Sequence, residues 1–269
     1  MNKTQKIIKY VAIILGVYLV VSIFTSLFSI TTNIIDFNNL FNTKADENAE
    51  YKSYDLNIDL ENLNIDIPYS NLKIVNSNEY KLETNNSDLK ITDNNNTLFI
   101  KDNQKRFKKR NYDVTIYLPV EKNYNNINIE TGAGRVEISK LYAQNLSLEV
   151  GAGKVQISSL SVVNSAKIDT GAGSLTLESG VINNLDLNMG VGKVQINTYL
   201  IGNNTIDAGV GELEVNLLDS IDNYKLKVDK GIGSIKLNGG NVSSGTFGEG
   251  KNYIDIDGGV GSIKINTVN

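Results

Sequence analysis

Apolar and polar residues alternate in short segments between Tyr51 and Pro119, and runs rich in Asn, Ser and Asp separate these segments. A period of two between turn-forming residues predicts short β-strands. The alternating apolar positions are Leu56, Ile58, Leu60, Ile65, Ile67, Leu72, Ile74, Leu89, Ile91, Leu98, Ile100, Val114, Ile116 and Leu118. The sequence after residue 50 shows no helical period, so this part of the chain is expected to be all-β.

From about Ile127 the chain repeats a Gly-x-Gly motif, whose first glycines are Gly132, Gly151, Gly171, Gly190, Gly209, Gly231 and Gly259. The steps of 19, 20, 19, 19, 22 and 28 residues lie in the range in which repeats form stacked coils. Apolar residues usually occupy alternate positions before each pair, and the residue between the two glycines keeps that phase. After the second glycine the apolar residues fall on the other parity, as Val136 and Ile138 do.

A straight strand that changed phase in this way would turn its apolar face outward. The chain is therefore predicted to bend at the second glycine, where glycine reaches φ > 0 without a Cβ clash. Because parallel β connections are normally right-handed, the expected fold is an all-β, right-handed parallel β-solenoid of seven regular rungs, roughly 30 Å long. The predicted corner glycines are Gly132, Gly134, Gly151, Gly153, Gly171, Gly173, Gly190, Gly192, Gly209, Gly211, Gly231, Gly233, Gly259 and Gly261.

The phrases TGAGRVEI, VGAGKVQI, DTGAGSLTL and GVGKVQI, which follow VTIYLP, resemble the bacterial "putative adhesin" family of β-strand repeats, also called toastrack domains. The resemblance covers residues 51–269. It implies an all-β solenoid in envelope proteins, linked in some members to envelope-stress signalling. It supplies no catalytic residues.

An uncharged, mostly apolar run from Tyr10 to Ile30 follows three lysines and matches the ~20 residues that span a bilayer as a helix. Lysines before the run and acids after it predict an inside N-terminus and an outside domain. A cleaved signal peptide is the alternative. The expected organisation is a cytoplasmic segment 1–9, a transmembrane anchor 10–30, a polar tether 31–50, irregular rungs 51–126 and regular rungs 127–269.

Composition narrows the chemistry of the chain. Its 269 residues contain no cysteine and no histidine, which excludes disulfides, thiolate chemistry, a lipoprotein cysteine and the commonest general base. The net charge of −4 disfavours nucleic acid as a partner. No Gly-x-Ser-x-Gly elbow is present, and no carboxylate pair is singled out for sugar cleavage. The chain is therefore not expected to be an enzyme, and no cofactor other than calcium is considered.

The residue two before each first glycine is nearly always acidic. The acids at this position are Glu130, Glu149, Asp169, Asp207, Asp229 and Asp257, with Asn188 completing the series. In-register stacking would place them ~4.8 Å apart, where like charges repel. One hypothesis is that Ca²⁺ or a cationic partner offsets this repulsion. The alternative is a solvated face neutralised by neighbours such as Arg135, Lys154 and Lys193.

A basic run lies between two predicted strands and comprises Lys105, Arg106, Lys108, Lys109 and Arg110. Such a cluster can bind anionic lipid headgroups or wall polyanions. The alternative is a solvated loop.

Together these features predict a non-catalytic envelope protein, anchored by one membrane span, whose extracellular solenoid is a scaffold for binding or adhesion. The expected partners are a cell-wall polymer, an anionic lipid or another membrane protein. An accessory role in envelope-stress sensing is the alternative function, and a polysaccharide-active enzyme is a further one.

Overall fold

The computed structural model describes residues 50–102 and 112–268, which belong to one compact unit, Ala45–Asn269. The predicted segment 1–9, the anchor 10–30 and nearly all of the tether lie outside the described residues. Within the described ranges, no helix has both the length and the apolar character that a membrane crossing requires.

Strands make up most of the described chain, and the remaining residues form turns, bends and one 3₁₀ turn at Ile221–Asn223. The part before the Gly-x-Gly repeats contains β1 (Lys52–Asp55), β2 (Asn62–Asp66), β3 (Ser70–Asn76), β4 (Lys81–Thr84), β5 (Leu89–Asn94), β6 (Thr97–Asp102) and β7 (Tyr112–Leu118). The repeats contain β8 (Asn123–Leu177), β9 (Gly180–Asn183), β10 (Leu185–Ile201), β11 (Asn203–Ser220), β12 (Tyr224–Leu237), β13 (Gly240–Val242), β14 (Gly245–Phe247) and β15 (Asn252–Val268).

The strands of the repeats pair in parallel, one rung on the next, so the predicted solenoid class is confirmed. At the N-terminal end β2 pairs with β8 before its first glycine corner, and β3 pairs with β8 after it. β6 and β7 extend these two layers by one more rung, and the antiparallel strands β1, β4 and β5 cover the end. The right-handed winding stays a prediction.

Each regular rung has three segments, which the rung around Gly151 illustrates. Face A is the outward side of the segment before the glycines, 145–150, and face B is that of the segment after them, 154–158. The return face is the outward side of the third segment, 160–163, which pairs with β9. Aliphatic side chains from all three segments point inward and form one continuous core.

The last two rungs are stacked in the reverse of their order in the chain. β15 lies between β11 and β12, with Gly261 beside Gly211 on one side and beside Gly233 on the other. β12 is thus the terminal rung, and the short antiparallel strands β13 and β14 pair with its outer edge. The long steps of 22 and 28 residues accompany this excursion, which the repeat pattern did not predict.

The glycine corners are confirmed, and the two glycines of each pair are required for related reasons. The second glycine of every pair has a φ between +134° and +153°, a region that other residues rarely adopt. A Cβ on Gly153 would lie 1.8 Å from the carbonyl oxygen of Gly134 in the adjacent rung. A Cβ on Gly151 would lie 2.5 Å from the carbonyl oxygen of Gly132, so the first glycine is required by close backbone approach.

The residue between the glycines does not join the core, although its parity with the preceding strand suggests that it should. Ile232 is 64% exposed and Val260 is 47% exposed. The bend therefore already places this residue on the outside of the corner. These side chains form an aliphatic corner column, which in stacking order comprises Ala133, Ala152, Ala172, Val191, Val210, Val260 and Ile232.

Asparagine side chains connect neighbouring rungs. Asn216 donates to Asn197 at 2.6 Å and accepts from Asn266 at 2.7 Å, forming a short amide ladder on face B. Asn204 is buried at the start of β11, where its side chain accepts from the Leu185 backbone N–H and donates to the Tyr253 carbonyl. These hydrogen bonds satisfy backbone and amide groups for which the apolar side chains of the core offer no donor or acceptor.

One predicted strand is wrong. Ile58 is 67% exposed and lies in a turn, so the alternating Leu56, Ile58 and Leu60 do not form a strand. The Asn57 side chain accepts the backbone N–H of Asp59 and stabilises the turn, as asparagine commonly does.

Candidate binding surfaces

The predicted acidic residues do form a continuous column on face A. Register pairs place Asn188 between Asp169 and Asp207, and Asp257 between Asp207 and Asp229. We call the series from Glu130 to Asp229, in this stacking order, the acidic column. Asp257 precedes Asp229 in it because the last two rungs are exchanged.

The column extends further at its N-terminal end than the glycine repeat indicated. Asp66 lies beside Glu130, Lys101 beside Asp66, and Lys90 beside Lys101. Asp66 lies outside any Gly-x-Gly repeat and was not among the predicted sites. An alignment of IDIPYS with IETGAG would have found it, because Pro68 and Ser70 occupy the corner beside Gly132 and Gly134.

Charge compensation along the column is uneven. Lys101 pairs with Asp66 at 3.2 Å, and Lys167 pairs with Asp169 at 3.0 Å. Asn188 also donates to Asp169 at 2.7 Å. The N-terminal and middle parts of the column therefore have cations or donors close by.

The cations expected to neutralise the column are placed elsewhere. Arg135 pairs with Glu137 at 3.3 Å and Lys193 pairs with Glu212 at 3.3 Å, both on face B. Lys264 also pairs with Glu212. Lys154 lies on the same face and has no ion pair among the described residues. The glycine corner separates these side chains from face A, so this part of the prediction is wrong.

Negative charge is concentrated around Asp207. Partial burial raises the pKa of its carboxyl above the ordinary 3.8, and the negative charges of Asp257, Asp186 and Asp255 raise it further. Lys227 pairs with Asp255 at 2.9 Å but is not paired with Asp207. Asp207 thus has several carboxylates around it and forms no ion pair among the described residues.

The acidic column borders an open groove. Its floor consists of the first glycines Gly151, Gly171, Gly190, Gly209 and Gly259, which leave the backbone uncovered. Its acidic wall consists of Glu149, Asp169, Asn188, Asp207 and Asp257. The aliphatic corner column follows immediately after the floor glycines in each rung. An elongated ligand that followed the groove would meet one polar side chain in every rung.

The residues proposed for calcium do not converge on one point. In the described part of the chain, no group of three or more Asp and Glu side chains is placed to hold a metal ion. The geometry explains this result, because stacking supplies one carboxylate per ~4.8 Å along a line, whereas Ca²⁺ takes six to eight oxygen ligands around one centre.

The basic run Lys105–Arg110 lies between β6 and β7 and outside the described residues, so its hypothesis of polyanion binding stays a prediction. Two described lysines, Lys101 and Lys90, occupy the N-terminal end of the column.

A match to a protein-family model agrees with this architecture. A family model described as "Toastrack DUF4097" matches residues 50–265. A "putative cell adhesion protein" from Clostridium sporogenes is 19% identical over 81% of this chain and 99% of its own, with a TM-score of 0.34. A "putative adhesin" from Bacteroides fragilis is 13% identical over 83% of this chain and 100% of its own, with a TM-score of 0.31. No curated protein matches the chain.

Proposed function

We propose that this chain, which belongs to the Toastrack DUF4097 family, is a non-catalytic scaffold of the cell envelope that binds a cationic partner along the groove of face A. The observation that carries this proposal is the cluster of carboxylates around Asp207, which forms no ion pair among the described residues. Burial and the repulsion from Asp257, Asp186 and Asp255 together raise the Asp207 pKa, and a cationic partner would offset the repulsion. Binding of the partner would therefore also stabilise the ionised form of the carboxylates in the column.

The stacked architecture suits an extended or multivalent partner. One side chain per rung contributes little alone, but contacts that repeat along one ligand act together and raise the apparent affinity. The chain would be held at the membrane by the predicted anchor 10–30, with the solenoid outside the cell. The family match begins at residue 50, the last residue of the predicted tether.

A scaffold is favoured over an enzyme because stacking gives every neighbouring pair in the column the same rung spacing. Among the described residues no pair of the column is set apart in an apolar pocket, and Asp207 is exposed. An acid–base pair for sugar cleavage requires one carboxyl that is kept protonated by its surroundings while the other stays ionised. Turnover of wall polymers that Asp207→Asn abolishes would overturn the scaffold proposal.

The first test is co-sedimentation of residues 50–269 with isolated cell walls and with anionic vesicles, with and without calcium. We expect binding to cell walls that Asp207→Asn with Asp257→Asn weakens. Glu178→Gln with Glu249→Gln is the matched control, because it also removes two negative charges and both residues are exposed and lie outside the column. Equal loss in both variants would indicate an effect of net charge only and would contradict a role for the groove.

Calcium distinguishes the two ways of offsetting the negative charge of the acidic column. If the partner is a cationic polymer, calcium competes with it and weakens co-sedimentation, whereas a calcium-bridged ligand requires calcium for binding. Absence of binding to either material under both conditions would contradict the proposal and favour a protein partner in the membrane.

A further inference from the structure

The last two rungs of the stack are formed by closely similar sequences. The chain reads GSIKLN at positions 233–238, at the end of β12, and GSIKIN at positions 261–266, within β15. The two segments lie side by side in the same register, from Gly233 beside Gly261 to Leu237 beside Ile265. The order in which two such similar rungs stack therefore requires a physical cause.

The contacts that β15 makes with β11 on face B do not supply that cause. Lys264 of β15 pairs with Glu212 of β11, and the Asn266 side chain donates to that of Asn216. In the terminal rung the two positions that correspond to Lys264 and Asn266 again hold a lysine and an asparagine. β12 could therefore make the same contacts with β11.

The two strands differ at the residue directly before the first glycine. This position faces the core, because a Cβ added at Gly258 would lie 2.6 Å from the Cδ1 atom of the buried Ile263. Lys230 alone among its seven occupants is charged, and Lys230 alone is exposed. In stacking order the occupants are Thr131, Val150, Thr170, Met189, Ala208, Gly258 and Lys230.

The opposite end of the stack also has a charged residue at this position. β6 is the outermost parallel strand there, and Asp102 follows Lys101 in β6 as Ile67 follows Asp66 in the next rung. Asp102 is buried, and its carboxylate accepts a hydrogen bond from the Asn86 side chain at 3.0 Å. Within the described stack, charged residues thus occur at this position only in the two outermost rungs.

An inner rung would enclose the Lys230 side chain without a partner. If β12 lay beside β11, Lys230 would stand between Ala208 on one side and Gly258 on the other. The cavity beneath these corners has a volume of about 10 Å³, and none of the described residues that line it is acidic. A buried ammonium group without a carboxylate partner is strongly destabilising. In the terminal rung the same group reaches solvent.

We infer that Lys230 keeps β12 at the end of the stack, and so selects the order β11–β15–β12 over the sequential order β11–β12–β15. The preference is visible only when the same position is compared in all the rungs. In the sequential order Lys227 would lie beside Thr205, in the place that Asp255 now occupies. Lys230 therefore also determines which side chains border the acidic column, whether or not the groove binds a cationic partner.

Disulfide trapping distinguishes the two orders, because the chain contains no cysteine. Neighbouring strands lie ~4.8 Å apart, within the Cα separation that a disulfide spans, whereas strands two rungs apart lie about 10 Å from each other and outside it. Thr205→Cys with Asp255→Cys therefore reports the observed order, and Thr205→Cys with Lys227→Cys reports the sequential order. Full-length chains with either pair are refolded in detergent micelles and then oxidised.

Lys230→Ala is expected to raise the yield of the 205–227 disulfide at least tenfold over that of the same pair with Lys230 in place. Lys225→Ala is the matched control, because it removes an exposed lysine from the outward side of the same strand, and it should leave the yield unchanged. An unchanged yield in Lys230→Ala, or an equal increase in both variants, would overturn the inference.

Exchange of the two residues provides a second test. Lys230→Gly with Gly258→Lys moves the lysine from β12 to β15, and the exchanged chain is expected to yield more of the 205–227 disulfide than of the 205–255 disulfide. Circular dichroism checks that the exchanged chain is folded. A disulfide confined to positions 205 and 255, or failure of the exchanged chain to fold, would contradict the inference, because the terminal rung should accept a lysine from either strand.

Discussion

Asp257 lies directly beside Asp207 in the stack, although the whole excursion through β12, β13 and β14 separates them in the chain. The insertion of β15 between β11 and β12 creates this contact. It also moves Asp229 to the end of the column, where it has Asp257 as its one neighbour in the series. The non-sequential order of the last two rungs thus decides which carboxylate lies beside Asp207, namely Asp257 and not Asp229.

Partial burial of Asp207, together with the negative charges of Asp257, Asp186 and Asp255, makes its ionised form unfavourable at neutral pH. Its raised pKa means that the folded chain binds the proton more tightly than the unfolded chain does. The resulting stabilisation is present below pH 3.8 and is lost as the pH rises through the folded pKa. Asp207→Asn is therefore expected to increase the free energy of unfolding at neutral pH, by less than about 1 kcal/mol because the group is solvated.

Urea unfolding of the 50–269 fragment at several pH values checks this expectation. The gain of Asp207→Asn should shrink towards zero as the pH falls below 3.8. Asp169→Asn is the control, because Asp169 has Lys167 and Asn188 beside it and its neutralisation should bring no gain. A gain for Asp207→Asn that does not change with pH would contradict the electrostatic explanation.

The glycine corners lead to a second prediction, in which steric clash is separated from backbone strain. Gly153→Ala combines a φ of +151° with a Cβ 1.8 Å from the Gly134 carbonyl oxygen. We expect a loss of about 3 kcal/mol or more in the free energy of unfolding, measured by urea denaturation.

Gly239→Ala is the matched control for that prediction. Gly239 has a φ of +81° in the turn between β12 and β13, and an added Cβ would meet nothing within 4 Å. Only the cost of a left-handed backbone then remains, about 1–2 kcal/mol. Similar losses for both variants would show that the close approach between rungs does not determine the requirement for glycine.

The repeat pattern in the sequence was sufficient to predict the rungs and their corners, because a phase change at Gly-x-Gly has few other structural solutions. It could not predict that β15 inserts before β12, since Asp229 and Asp257 occupy equivalent positions in their repeats. Parity was also a poor guide to Ile232, because the bend begins before that residue. Long-range pairing and corner geometry decide these points, and neither has a local signal.

Two buried tyrosines yield a third prediction. The Tyr124 hydroxyl has no hydrogen-bond partner among the described residues, and burial raises its pKa. Tyr224 is equally buried, but the backbone N–H of Leu200 donates to its hydroxyl. Burying a polar group without a hydrogen-bond partner lowers the free energy of unfolding by about 1–3 kcal/mol. Removing one member of a hydrogen-bonded pair leaves the other member buried without a partner.

Tyr124→Phe is therefore expected to leave the free energy of unfolding unchanged or to raise it by about 1 kcal/mol. Tyr224→Phe is expected to lower it by about 1–3 kcal/mol, because the Leu200 N–H loses its acceptor. Thermal and urea unfolding of both variants provide the comparison. A loss in Tyr124→Phe as large as that in Tyr224→Phe would reveal a partner for the Tyr124 hydroxyl, such as a buried water molecule.

The buried Asn204 at the start of β11 provides the fourth prediction. Asn204 is 1% exposed, accepts from the Leu185 N–H at 2.9 Å and donates to the Tyr253 carbonyl at 3.1 Å. It thus links three successive rungs of the stack, those of β10, β11 and β15. Asn204→Leu keeps a side chain of similar size but leaves both backbone groups unsatisfied, so we expect a loss of about 2–4 kcal/mol. Asn203→Ala, an exposed neighbour, should change stability by less than about 0.5 kcal/mol.

Hydrogen exchange gives the local measurement: in Asn204→Leu the amides of Leu185 and its neighbours should exchange faster, while those of β2 and β3 keep their protection. Uniformly faster exchange throughout the solenoid would instead show that the rungs unfold as one cooperative unit.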